Sequence, residues 1–170
     1  SLETEEVETF MNVLDARLWS LKTPTLYTLH TDIVADGKVV DSYETSFGIR
    51  DIRFDANEGF FLNGERVQIQ GVCCHQDHAG VGIAVPDQNA WRVARLKEYG
   101  VNAYRASHNP PTTAVLNACD TLGMLFMDEL RVLSSSKEGL SQLETIIRRD
   151  RNHPSVIIWC LGNEEPAIQG

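Results

Sequence analysis

Apolar and polar positions change their rhythm once along this chain, near residue 60. Before that point the patterned runs are short and lean towards a period of two, which is the period of strands. Residues 7–11 alternate weakly. Residues 26–34, rich in aromatic and β-branched side chains, read as a strand, and Asp36-Gly37 is a hairpin-turn pair that sends residues 38–47 back as a second strand. Between these runs, Leu18-Trp19-Ser20 leads into Thr23-Pro24, a proline-punctuated loop with a large apolar anchor. No helical period occurs in this part. Three or so strands cannot cover both faces of a sandwich, so residues 1–50 predict part of an all-β domain.

From residue 60 the texture is different. Residues 60–69 predict a hairpin turning at Asn63-Gly64, its second arm continuing through Gly71-Val72-Cys73-Cys74. Strands and helices then alternate. A helix is predicted over 90–99, with Trp91, Ala94 and Leu96 packed on its apolar face and Gly100 as its stop. A strand over 101–106 follows, then a helix over 112–122 closed by Gly123 and a strand over 124–127. The last pair is a helix over 140–151, with Leu143, Ile146 and Ile147 on one face, and a strand over 156–161 whose Trp159 is core. This β-α-β-α-β-α-β order with short connections predicts a parallel α/β sheet.

In parallel sheets polar ligands gather beyond the carboxyl ends of the strands. Here those ends read Cys74-His75-Gln76-Asp77-His78, Arg105-Ala106-Ser107-His108-Asn109-Pro110, Asp128-Glu129 and Asn163-Glu164-Glu165, whereas the opposite ends carry little more than Gly, Asn and Ser. Glu164 has two readings. It is a solvated strand end, or it is a general acid/base whose pKa a neighbour such as Glu129 or Glu165 raises. Arg105 is either one half of a buried ion pair with Asp128 or Glu129 or a substrate contact. His75, His78, His108 and His153 lack any H-E-x-x-H or paired-cysteine context, so they read as hydrogen-bonding groups and no metal is assigned. Arg148-Arg149-Asp150-Arg151 reads as a charged helix end with its cations near the C-terminus, and no function is assigned to it.

Composition narrows the partners. A net charge of −9 and a pI near 4.9 exclude the basic surface that nucleic acids and anionic membranes require. No apolar stretch of ~18 residues is present to span a bilayer. The first ten residues lack the basic and apolar regions of a signal peptide, which carries little weight because the chain reads as beginning inside a domain. The four cysteines form no C-x-x-C pair and read as reduced thiols, which favours the cytoplasm over the periplasm.

Taken in order, the motifs resemble one family. Gly71-Val72, His75-Gln76-Asp77-His78, Arg105-Ala106-Ser107-His108-Asn109-Pro110-Pro111, Met127-Asp128-Glu129, Arg149-Asp150-Arg151-Asn152-His153-Pro154-Ser155 and Leu161-Gly162-Asn163-Glu164 closely resemble glycoside hydrolase family 2. This is the family of β-galactosidases, β-glucuronidases and β-mannosidases. Leu18-Trp19-Ser20, Leu26-Tyr27 and Phe47-Gly48-Ile49-Arg50 resemble its immunoglobulin-like domain.

The resemblance implies α/β plus all-β architecture. Residues 1–50 would be part of an immunoglobulin-like β-sandwich, and residues 51–170 the N-terminal half of a (β/α)8 TIM barrel. It further implies a retaining exo-glycosidase acting on terminal β-linked sugars, with β-galactosidase first and β-glucuronidase or β-mannosidase as alternatives. Glu164 would be the acid/base and Asn163 the contact to the sugar 2-hydroxyl. His75 and His108 would lie in the sugar pocket, with Arg105, Glu129 and Asp128 supporting the site.

Three departures accompany the resemblance. No residue matches the family's nucleophilic glutamate, so the 170-residue chain is expected to be inactive by itself. Cys73-Cys74 stands where many members have Asn-Arg. Leu130 to Ser134 does not match the histidine-containing segment that helps bind magnesium in some members, so no metal and no cofactor is assigned. The expected partners are a β-linked carbohydrate and either a second copy of the chain or the remainder of a parent protein. A non-catalytic sugar-binding or assembly module is the rival reading.

Overall fold

The computed structural model describes residues 5–164. Two strands form the first sheet: β1 (Tyr27–Ala35) pairs antiparallel with β2 (Lys38–Phe47). Asp36 and Gly37 both have positive φ, 50° and 72°, as a two-residue turn matched to strand twist demands. Tyr27 stacks on Phe47 at the base of this hairpin with ring centroids 5.7 Å apart. The weak alternation at 7–11 does not become a strand. Among the described residues no strand pairs with it, and Val7 and Phe10 stay 82% and 89% exposed.

The 60–69 hairpin is part of a three-stranded antiparallel sheet whose first member the pattern did not reveal. β3 (Ile52–Asp55) pairs with β4 (Gly59–Leu62), which pairs with β5 (Glu65–Arg66). The second arm does not run on into residues 71–74 as expected. It ends at Arg66, and β6 (Gly71–Cys74) belongs to another sheet.

That sheet is parallel, in the order β6, β7 (Ala103–Ala106), β8 (Leu125–Glu129), β9 (Val156–Cys160). Its crossovers are the helices α1 (Asp87–Glu98), α2 (Thr113–Leu122) and α3 (Lys137–Asp150). α1 and α3 each start three residues earlier than their apolar stripes indicated, because Pro86 and Ser136 begin them. The Ser136 hydroxyl accepts from Gly139 N at 3.1 Å. α2 ends at Gly123, whose φ is 71°. A Cβ there would lie 2.6 Å from the Leu21 carbonyl oxygen, so no other residue fits without displacing that loop.

Two cores form on opposite faces of the parallel sheet. Val93, Tyr104, Val115, Leu116, Cys119, Phe126 and Val156 fill the layer between strands and helices, with Trp159 packed against them. Trp91 is not part of that core. It is 61% exposed on the outer side of α1. The second core closes the amino end of the sheet, where Trp19, Phe60, Leu62 and Leu125 are buried together.

Polar groups pin this floor. Trp19 donates Nε1–H to the Asp120 carbonyl at 2.8 Å, and Arg50 donates to the Pro154 and Val156 carbonyls, both at 2.7 Å. His153 Nδ1 lies 2.5 Å from the Asp120 carboxylate, which also accepts from Ser155 N at 3.1 Å. The amino ends of the strands are therefore not bare, as their composition indicated. They carry a buried Asp–His–Arg node, and this removes His153 from the candidate histidines of the rim.

Candidate active site

Each parallel strand releases its chain at the carboxyl edge, and the side chains there divide by the face they take. On β8, Met127 and Glu129 look into the concave side while Phe126 and Asp128 look towards the helices. Glu129, with no exposure to solvent, is the centre of the concave group. Arg105 Nε donates to its Oε2 at 2.5 Å, and His108 Nδ1 lies 2.8 Å from its Oε1. Of the two readings of Arg105, the geometry therefore realises the ion pair, with Glu129 and not Asp128. The hydrogen bond to Glu129 also holds the Arg105 guanidinium above its ordinary pKa.

Arg105 does more than neutralise Glu129. Its Nη2 donates to Asn163 Oδ1 at 2.9 Å, and its Nη1 lies 3.9 Å from Cys73 Sγ. One guanidinium thus links the ends of β6, β7, β8 and β9. The His75 ring stands nearly perpendicular to that of His108, with centroids 5.9 Å apart. Glu164 follows Asn163 directly and is exposed at the mouth. Glu165 lies outside the described residues. Of the predicted group, Asn163, His75, His108, Arg105 and Glu129 thus gather at one edge, with Glu164 next to Asn163 in the chain.

Asp128 does not join it. It lies in the strand–helix layer, 1% exposed, and its carboxyl faces that of Asp150 on α3. Burial pushes its carboxyl up to about 7, and the neighbouring Asp150 adds to the rise. Arg149 forms two hydrogen bonds of 2.6 Å to Asp150 and donates to the Pro111 carbonyl at 2.9 Å. The charged helix end is therefore partly buried, since Asp150 has no exposure to solvent. Its position seven residues after Leu143, on the same stripe as Ile146 and Ile147, was the available signal.

Two further residues shape the rim. Gln76 donates to the Pro110 carbonyl at 3.1 Å and accepts from Thr112 N at 2.7 Å, tying the turn after β6 to the start of α2. Arg92 reaches the same turn from α1. His78 Nδ1 faces Arg92 at 3.2 Å and not the mouth, so His75, His78 and Glu129 do not converge on one point. Among the described residues no cluster of three His, Cys, Asp or Glu side chains is placed to hold a metal ion, and no helix is long and apolar enough to cross a membrane.

A parallel sheet whose strands follow one another in sequential order, with polar side chains at its carboxyl edge, is the arrangement expected of the first half of a TIM barrel. The comparisons give the particular family. The family described as "Glycosyl hydrolases family 2, TIM barrel domain" matches residues 55–140 and 134–169, and "Glycosyl hydrolases family 2" matches residues 1–50. The chain belongs to glycosyl hydrolase family 2.

It is 40% identical to the β-galactosidase BoGH2A of Bacteroides ovatus, over 91% of this chain and 20% of that protein. It is 35% identical to a β-glucuronidase of Bacteroides fragilis, over 87% of this chain and 24% of that protein. A solved family 2 member from Bacteroides cellulosilyticus superposes with a TM-score of 0.84 at 41% identity, covering 89% of this chain and 21% of that one. The chain spans about a fifth of the length of these relatives. The architecture is accordingly an immunoglobulin-like element followed by the first strands and helices of a TIM barrel.

Proposed function

We propose that these residues carry the acid/base half of a retaining exo-glycosidase site for terminal β-linked sugars, with a β-galactoside as substrate. The observation that carries the reading is the Asn163–Arg105–Glu129 chain of hydrogen bonds. It fixes the residue next to Glu164 to a buried carboxylate at the mouth. Retention requires two carboxyl groups roughly 5–5.5 Å apart, one to protonate the glycosidic oxygen and one to attack the anomeric carbon. Glu164, exposed and following the last strand, takes the first role. Glu129 is unsuited to the second, because both its oxygens are engaged and no part of it reaches solvent. Arg105, anchored by Glu129, would hold the nucleophile, for which residues 1–170 offer no match.

In this mechanism Asn163 donates to the sugar 2-hydroxyl, while His75 and His108 bind other hydroxyls of the ring. Glu164 gives its proton to the leaving oxygen, then takes one from the water that releases the glycosyl intermediate. Galactose is favoured by the β-galactosidase relative at 40% identity; relatives described as β-glucuronidase or putative β-glucuronidase, at 35–38%, make glucuronate the competing sugar.

The test is a panel of nitrophenyl β-glycosides (galactoside, glucoside, mannoside, glucuronide) with the 170-residue polypeptide and its Glu164→Gln variant, followed by calorimetric titration with the free sugars. No hydrolysis, with galactose bound more tightly than the other sugars, is the expected result. Hydrolysis of one glycoside, abolished in the variant, would overturn the assignment of a single carboxyl to this polypeptide. Absence of binding to any sugar would overturn the sugar-pocket reading of His75 and His108.

A further inference from the structure

Arg92 belongs to no motif of the rim and sits on the helix side of the sheet, yet its guanidinium serves the turn that carries His75. One terminal nitrogen donates to the His75 carbonyl. The other donates to the Asp77 carbonyl at 2.7 Å and meets His78 Nδ1 at 3.2 Å. Arginine can only donate, so in this contact His78 Nδ1 is the acceptor. Three acceptors from three of four consecutive residues thus converge on one planar fork.

We propose that Arg92 is the positioning residue for His75. It acts by fixing the backbone of residues 75–78 from outside the pocket, and the inference rests on the assignment of His75 to the sugar site.

The physical argument concerns backbone rotation. β6 ends at Cys74, and beyond it the turn loses the ladder hydrogen bonds that oriented its peptides. Anchoring the carbonyls of residues 75 and 77 to one rigid fork sets the rotation of the intervening peptides, and this decides the direction in which the His75 side chain leaves the chain. From the other side, Gln76 is bound to Pro110 and Thr112, so the segment is held between α1 and the start of α2. The result is the near-perpendicular approach of His75 to His108, which is itself fixed on Glu129. A lysine could not replace the fork. Its single ammonium is a point charge without two parallel donors at fixed spacing.

The experiment compares the 170-residue chain with Arg92→Met and Arg92→Lys by amide hydrogen exchange and by imidazole NMR during galactose titration. In Arg92→Met, exchange across 75–82 should accelerate about ten- to a hundredfold, the range expected for losing hydrogen bonds to a charged donor. α2 and β8 should keep their protection. The galactose-induced shift of His75 should disappear while that of His108 persists, and Arg92→Lys should recover little of either. Unchanged exchange at 75–82, or a His75 response to galactose equal to that of the unaltered chain, would overturn the proposal, as would full recovery in Arg92→Lys. If galactose moves neither histidine in the unaltered chain, the sugar-site reading fails instead. In that case exchange at 75–82 still decides whether Arg92 holds the turn.

Discussion

Arg105 and Glu129 stand 24 positions apart in the chain and meet at 2.5 Å, the carboxylate fully buried and the guanidinium partly open to the mouth. A charge with no exposure is tolerated only because a cation is held against it. Removing Arg105 is therefore far more damaging than removing both partners. Arg105→Met should destabilise the fold by at most about 3–5 kcal/mol, the usual cost of stranding one member of a buried pair, lessened by the His108 contact that Glu129 keeps. Adding Glu129→Gln to it should restore much of that loss. Urea denaturation of the two variants measures the difference; a double variant no more stable than Arg105→Met would remove the ion pair as the cause.

Asp128 sets a pH dependence of opposite sign to that of most carboxylates. Its folded pKa of about 7 lies above its ordinary value of 3.8, so the folded state binds the proton more tightly than the unfolded chain. This group's contribution is fully present below pH 3.8 and is lost as pH rises towards about 7. Asp128→Asn, a neutral side chain of nearly the same shape, should flatten that slope and raise stability at pH 8. Denaturation midpoints at pH 5 and pH 8 give the answer, and an Asn variant with the original slope would show that Asp128 does not carry the proton.

Lys97 ties the N-terminal loop to the barrel floor. Its ammonium donates to the carbonyls of Leu122 at 2.5 Å and of Leu21 and Gly123 at 3.0 Å, binding α1 to the C-terminal end of α2 and to the loop ahead of β1. The position also suits a cation, since the carbonyl end of α2 is the negative end of its dipole. Lys97→Met should cost roughly 1–3 kcal/mol. The loss should appear as faster amide exchange near residues 20–23, and equal exchange there in both proteins would contradict the bridge.

The outer strands β6 and β9 each leave one edge without a partner among the described strands. The concave face between them is lined by Ile69, Leu125, Met127 and Ile157. Open edges beside an apolar face favour pairing with a second copy. The net charge of −9 opposes this, so association should strengthen with added salt. Sedimentation velocity in low and high salt tests it, and a monomer in both would refute it.

From residue 71 onward the sequence by itself determined the order of elements and the edge at which the polar groups collect. Helical stripes, the Asp36-Gly37 and Asn63-Gly64 turns and the residues ending each strand are set by interactions between near neighbours, and near neighbours can be read from the chain. Only the tertiary structure decided which of those residues meet. Asp128 and Glu129 are adjacent and alike in chemistry, but a strand covered on both faces carries no alternation of polarity to tell its two sides apart. One therefore enters the mouth and the other the helix layer.

His153 went to the floor because its partner Asp120 lies 33 positions earlier. Asn163 was joined to the site by Arg105, 58 positions away. Arg92 carries no local signal in the sequence, and its contacts exist only because the turn after β6 comes within its reach. In each case the deciding contact is long-range, and it exists only once the strands have paired and fixed the distance between their ends.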